Sequence, residues 1–142
     1  MKRPLLVAAA VLASAVLIGA AAVIARHVWP PERRLVLPAV ERFAPGACRD
    51  AAETVRSLAR LTHGDDVTAL TRSDRAELRR AQDRLVALRT AASADVREPM
   101  EAVIVSVGYL RLRLDSRTAE PRYLTDVETA RARLERTCVG SG

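Results

Sequence analysis

Two cysteines, Cys48 and Cys138, two histidines, His27 and His63, and the adjacent pair Asp65-Asp66 are the residues here whose types suit metal binding or nucleophilic chemistry. Their spacing suits neither. Zinc sites draw on closely spaced Cys and His pairs, and covalent haem needs Cys-x-x-Cys-His; the sequence has no such run. No Gly-rich phosphate loop and no Gly-x-Ser-x-Gly elbow occurs. A di-iron site inside a helical bundle needs Glu and Glu-x-x-His on inward faces, and His63 has no such partner. The expectation is therefore no enzyme, no metal and no cofactor. His63 is expected to cap a helix C-terminus, and Asp65-Asp66 to cap the helix that follows.

Arginine is the other residue type with chemistry to offer, as the planar donor fork that grips anions. Arg72, Arg75 and Arg79 share one stripe at helical spacing, with Arg80 and Arg84 on another. Arg131, Arg133 and Arg136 crowd a second region near the C-terminus. Acidic residues stand at pairing distance along the same helices: Arg79 with Asp83, Glu77 with Arg80, Glu128 with Arg131. Such pairs mainly make a solvated face. The six residues Arg72, Arg75, Arg79, Arg131, Arg133 and Arg136 are the candidate binding surface for an anionic partner.

Net charge has to be weighed by region. The chain carries +6 overall, but three of its 23 basic residues, Lys2, Arg3 and Arg26, precede His27. The remainder sets 20 arginines against all 17 acidic residues. A region near +3 does not argue for nucleic acid, and none is expected as a partner. Lys2 is the only lysine, and arginine with abundant alanine is the mark of a GC-rich genome.

The run Pro4 to Ala25 decides where these residues work. It holds no charge and one hydroxyl, Ser14. As a helix it would extend about 33 Å, enough for a hydrocarbon core of about 30 Å. A basic tail, residues 1–3, precedes it. Arg26 ends it, Trp29 stands where an interfacial aromatic would, and Pro30-Pro31 stop the helix. Residues 4–26 read as a single-pass anchor through the lipid bilayer. The alternative is a secretory signal cleaved after Ala22, since Ala20-x-Ala22 meets the small-residue rule. Counted alone, the flanking basic residues slightly favour the opposite orientation. The short basic tail and the cysteines, which make sense as a pair only in an oxidising space, favour an N-terminus in the cytoplasm and an exported C-terminal domain.

Residues 27–46 form a connector with four prolines, Pro30, Pro31, Pro38 and Pro45, which forbid a continuous helix. Its apolar residues Leu35, Val36, Leu37, Val40 and Phe43 are too many for a solvated tether. They predict a strap lying against the domain or near the lipid surface.

Residues 47–140 must position everything else, and they read as four helices. The first runs from about Pro45 to Thr62, with Cys48, Ala51, Ala52, Val55, Leu58, Ala59 and Thr62 on one stripe and Gly64 as a left-handed cap. The second begins near Ser73 as N-cap and carries Leu78, Ala81, Leu85, Leu88 and Ala92; Asp65 to Leu70 either form a separate short turn or extend it backwards. The third covers about Val96 to Asp115, with Val96, Met100, Val103, Val107, Leu110 and Leu114 inward and Pro99 in its first turn. Its β-branched tail, VIVSVGYLRLRL, would alone pass for a strand, but the heptad spacing favours helix. The fourth opens at Glu120-Pro121 and ends at Cys138, its stripe formed by Leu124, Val127, Ala130 or Arg131, Leu134 and Cys138. Four aromatics leave Leu, Val and Ala to fill the core, which suits packed helices.

The fold class expected is thus all-α: the transmembrane or signal helix, then an antiparallel up-down four-helix bundle. In that topology the first N-terminus and the last C-terminus share an end. Cys48 and Cys138 then face each other and form a disulfide. The function expected is a non-enzymatic, membrane-anchored extracytoplasmic interaction or scaffold module of the bacterial envelope, its partner an envelope protein or an anionic component. The alternative is a carrier of a lipid or small apolar ligand, with Tyr109, Phe43 and Met100 as lining.

Overall fold

A computed structural model describes residues 35–140. The proposed anchor at residues 4–26, the cleavage position near Ala22 and the first part of the connector lie outside the described residues. No described helix is long and apolar enough to cross a membrane.

Four helices and no strands make up the described chain: α1 Ala47–Thr62, α2 Arg72–Arg89, α3 Ala94–Asp115 and α4 Pro121–Val139. Each packs on its neighbours in sequence, and α4 packs back on α1. Cross-links between them fix the directions. Ser57 Oγ donates to Glu77 at 2.9 Å from α1 to α2, and Thr62 Oγ1 donates to Glu128 at 3.0 Å from α1 to α4. Arg133 reaches Glu98 at 2.9 Å between α4 and α3. Two contacts per couple run in opposite senses for α1–α4 (Cys48 to Cys138, Thr62 to Glu128), α2–α3 (Gln82 to Ile104, Arg89 to Glu101) and α3–α4 (Glu98 to Arg133, Arg113 to Tyr123), so these neighbours are antiparallel.

The core is aliphatic, as the stripes require. Val55, Leu58, Leu78, Leu85, Met100, Val103, Val107, Leu110, Val127 and Leu134 are all enclosed. The segment that resembles a strand is helical because its inward positions at spacings of 3 and 4 are the buried ones, and a two-residue alternation would bury other residues.

Helix ends differ from the expectation in instructive ways. α2 is capped by Thr71, not Ser73: Thr71 and Asp74 form a reciprocal capping box, with Thr71 N–H donating to Asp74 Oδ2 at 2.8 Å. A Thr-x-x-Asp pair satisfies two backbone donors, which a Ser73 start would not. Gly64 is not a left-handed cap. α1 ends at His63 with right-handed geometry, and the chain turns through a short 3-10 segment, Val67–Ala69, capped by Asp66. α3 starts at Ala94, so Pro99 sits in its second turn. The left-handed residue is instead Arg117, φ 58°, in a Schellman turn where Thr118 N–H donates to the Arg113 carbonyl at 2.9 Å and Arg117 N–H to Leu114 at 3.2 Å.

The strap docks at the disulfide end. Phe43, 1% exposed, inserts into the core, and the Ala44 amide donates to the Cys138 carbonyl at 2.9 Å. Arg49 donates to the Phe43 carbonyl at 3.2 Å. The Cys48–Cys138 bridge, with Cα atoms 5.3 Å apart, joins the second residue of α1 to the last turn of α4 at this same end.

Candidate functional site

At the opposite end of the bundle, the first turns of α2 approach the last turns of α3. A groove of about 380 Å³ lies between them, and arginines line most of it: Arg72, Arg75, Arg79 and Arg80 from α2, and Arg111 from α3. Ala76 and Leu114 also line it, and Asp115 is its one described lining carboxylate.

The local sequence explains the arrangement. With the Thr71–Asp74 box starting the helix at Arg72, positions 72, 75 and 79 fall on one face. The box also uses Thr71 and Asp74 internally, and Thr71 with Thr68 keeps its neighbours busy: Asp74 and Asp66 carboxyls are held below the usual range by hydrogen bonds from the Thr71 and Thr68 hydroxyls first, and from their backbone amides next. An anion at this end would therefore meet side chains before free amides.

The five arginines differ in what already holds them. Arg80 is bound by Glu77 at 2.6 Å. Hydrogen bonds from Arg80 and then from Ser57 keep the Glu77 carboxyl below its ordinary range. Arg111 Nη1 donates to Gln82 Oε1, and Gln82 Nε2 donates to the Ile104 carbonyl at 3.1 Å. Gln82 fits there because position 108 is glycine: a Cβ on Gly108 would stand 2.9 Å from Gln82 Nε2. The side chains of Arg72, Arg75 and Arg79, all exposed, make no hydrogen bond and no ion pair with any described residue. The expected Arg79–Asp83 pair does not form, whereas Glu77–Arg80 and Glu128–Arg131 do.

The arginines of α4 are not part of this surface. Arg131 is 5% exposed and held by Glu128 and Glu135, with Thr62 completing the Glu128 contacts. Burial alone would raise the Glu128 carboxyl, but the Arg131 hydrogen bonds and charge, with the Thr62 hydroxyl, outweigh it and hold it below the ordinary range. Arg131 is thus engaged within α4, and it is the Thr62–Glu128 bond that ties α4 to α1. Arg133 pairs with Glu98, and Arg136 lines a separate groove of about 530 Å³ beside the strap residues Val36, Leu37 and Pro38. Of the six expected residues, the structure brings Arg72, Arg75 and Arg79 together and disperses the rest.

The proposed apolar lining disperses too. Phe43 and Met100 are core residues, while Tyr109 is 56% exposed. Tyr109 belongs to an open groove of about 690 Å³ between α3 and α4, with Val105 and Tyr123. The Arg113 and Arg122 guanidinium groups lie 5.7 and 5.0 Å from the centre of the Tyr123 ring.

Arg111, Gln82 and Gly108 carry no signal in the sequence that would place them beside the α2 arginines. Arg111 sits in an alternating RLRL run that gives no hint of its neighbour, and Gln82 and Gly108 matter only through the register of α2 on α3. Among the described residues no group of three or more His, Cys, Asp or Glu side chains is placed to hold a metal ion. Comparison with protein-family models, with curated proteins and with solved structures finds no match for this chain.

Proposed function

We propose that this protein is a non-enzymatic docking module of the bacterial envelope, anchored by residues 4–25 with its helical domain outside the cytoplasm. The observation that carries the reading is the division of labour between the two ends of the bundle. At one end the entering strap, the first helix and the last helix are tied by Phe43, the Ala44–Cys138 hydrogen bond and the Cys48–Cys138 bridge. At the other end three arginines whose side chains have no partner among the described residues face a groove. A stapled base and a charged, open tip suit a module that is held at one end and binds at the other. The apolar run before Arg26 supports the anchor, and a long-range disulfide supports an oxidising compartment.

The test is site-specific photocrosslinking of the full-length protein in intact cells. A photoreactive residue replaces Ala76, in the groove, or Ala87, exposed on α2 beyond it. The reading expects a discrete heterologous adduct from position 76 and not from position 87. Adducts of equal yield from both, or of this protein with itself alone, would contradict it.

A second reading, a carrier of an apolar ligand, draws support from the open groove at Val105, Tyr109 and Tyr123. Native mass spectrometry of the detergent-solubilised chain, with a retained small apolar molecule, would favour it.

A further inference from the structure

We propose that the groove between α2 and α3 binds a diphosphate group, on either a soluble molecule or a lipid. The proposal rests on the docking reading above and names the chemistry its charged end recognises.

Three properties of the groove point to this ligand. The first is uncompensated charge. Arg72, Arg75 and Arg79 have no carboxylate partner among the described residues, and Asp115 is the one described carboxylate in the lining. Elsewhere on the same domain Arg56, Arg89, Arg122, Arg131 and Arg133 have an acidic partner and others, Arg84 among them, form no ion pair with a described residue, so what distinguishes the groove is that three such arginines line one concavity. A monocarboxylate would leave most of this charge unanswered; a diphosphate answers it.

The second property is shape. Arg72, Arg75 and Arg79 lie about one and two turns apart along one helix face, so their flexible side chains can converge on separate oxygens of one polyanion. Guanidinium forks match pairs of phosphoryl oxygens bidentately. A concavity of about 380 Å³ holds a compact ligand and does not suit an extended acidic peptide.

The third is preorganisation on the far wall. Arg111 is held by Gln82 and Gln82 by the Ile104 carbonyl, and a Cβ at Gly108 would force the Gln82 amide to shift from this position. Glycine inside a helix is unfavourable relative to alanine, and the room it makes is occupied by Gln82. Gln82 is thus a positioning residue for Arg111, which keeps one donor wall rigid while the α2 arginines close from the other side.

Isothermal titration calorimetry of the full-length protein in neutral detergent tests this, with inorganic pyrophosphate, inorganic phosphate, farnesyl diphosphate and poly-glutamate as probes. Pyrophosphate should bind saturably at one site, about tenfold or more tighter than phosphate, and weaken with salt. Arg75→Ala and Arg79→Ala should each weaken it by about tenfold, and Arg84→Ala, outside the groove, should leave it unchanged. Gly108→Ala should weaken pyrophosphate binding roughly fivefold with no fall in melting temperature, a split that a purely structural role for the glycine would not produce. Farnesyl diphosphate binding tighter than pyrophosphate assigns the group to a lipid, and equal affinity assigns it to a soluble molecule. Absence of saturable binding at millimolar pyrophosphate, equal loss from Arg84→Ala, or tighter binding of poly-glutamate would overturn the proposal. A failure here alongside a heterologous adduct from position 76 would remove the diphosphate and leave the docking module standing.

Discussion

Reducing the Cys48–Cys138 bridge in the unmutated protein isolates the contribution of the staple, because no atom of the core is deleted. The bridge spans a sequence separation of 90 residues. In the chain-entropy treatment, closing a loop of that length removes about 15 cal/mol/K from the unfolded ensemble, or about 4.6 kcal/mol at 25 °C. A domain of this size is stable by about 5–15 kcal/mol in total, so the staple is a large fraction of it. With an unfolding entropy near 0.2 kcal/mol/K for roughly 100 residues, the melting temperature should fall by about 20 °C. The assay is far-UV circular dichroism of the full-length protein in detergent, scanned with and without a phosphine reductant, with thiol release measured in parallel. The helical signal at low temperature should persist, since the core contacts remain. A fall of less than about 5 °C with both thiols demonstrably released would refute the loop-entropy reasoning.

Four further outcomes follow from the geometry. Arg131→Ala should destabilise the fold by about 2–3 kcal/mol in urea denaturation, less than the about 3–5 kcal/mol of a fully enclosed pair because Glu128 and Glu135 stay partly hydrated. Thr71→Ala removes the capping box of α2 and should cost about 1 kcal/mol by the same assay. Arg117→Gly relieves left-handed backbone at φ 58° in the α3–α4 turn and should stabilise by about 0.5–1 kcal/mol, visible as a raised melting temperature. Acid should loosen the fold through Glu77 and Glu128. Both carboxyls titrate below the ordinary 4.5 when folded, so their contribution is present above that pH and is lost as pH falls through the lowered values, which a pH series of melting temperatures would display and which Glu77→Gln should blunt.

The architecture was legible where it depends on periodicity. Stripes at spacings of 3 and 4 locate all four helices, and topology then brings Cys48 to Cys138 without any contact information. Boundaries were less legible, because a cap is a competition between neighbours. Ser73-Asp74 looks like a start until the Thr71–Asp74 reciprocity is weighed, and Gly64 invites a left-handed cap that the Asp66 turn makes unnecessary. The left-handed role falls to Arg117, an arginine that propensity would never select. The arginine surface was half legible. Spacing along α2 groups Arg72, Arg75 and Arg79, but spacing along α4 cannot show that Arg131 turns inward to two carboxylates, nor that α3 brings Arg111 to the α2 stripe. Those facts belong to the register between helices, which no single helix encodes.

The most direct test of the account is the state of the two cysteines in living cells. Intact cells are treated with a membrane-impermeant maleimide, with and without reductant, and the intact protein is weighed. The account predicts no adduct without reductant and two adducts after it, one on Cys48 and one on Cys138, added from outside the cytoplasm. Two thiols alkylated in unreduced cells, or labelled only once the membrane is permeabilised, would contradict it.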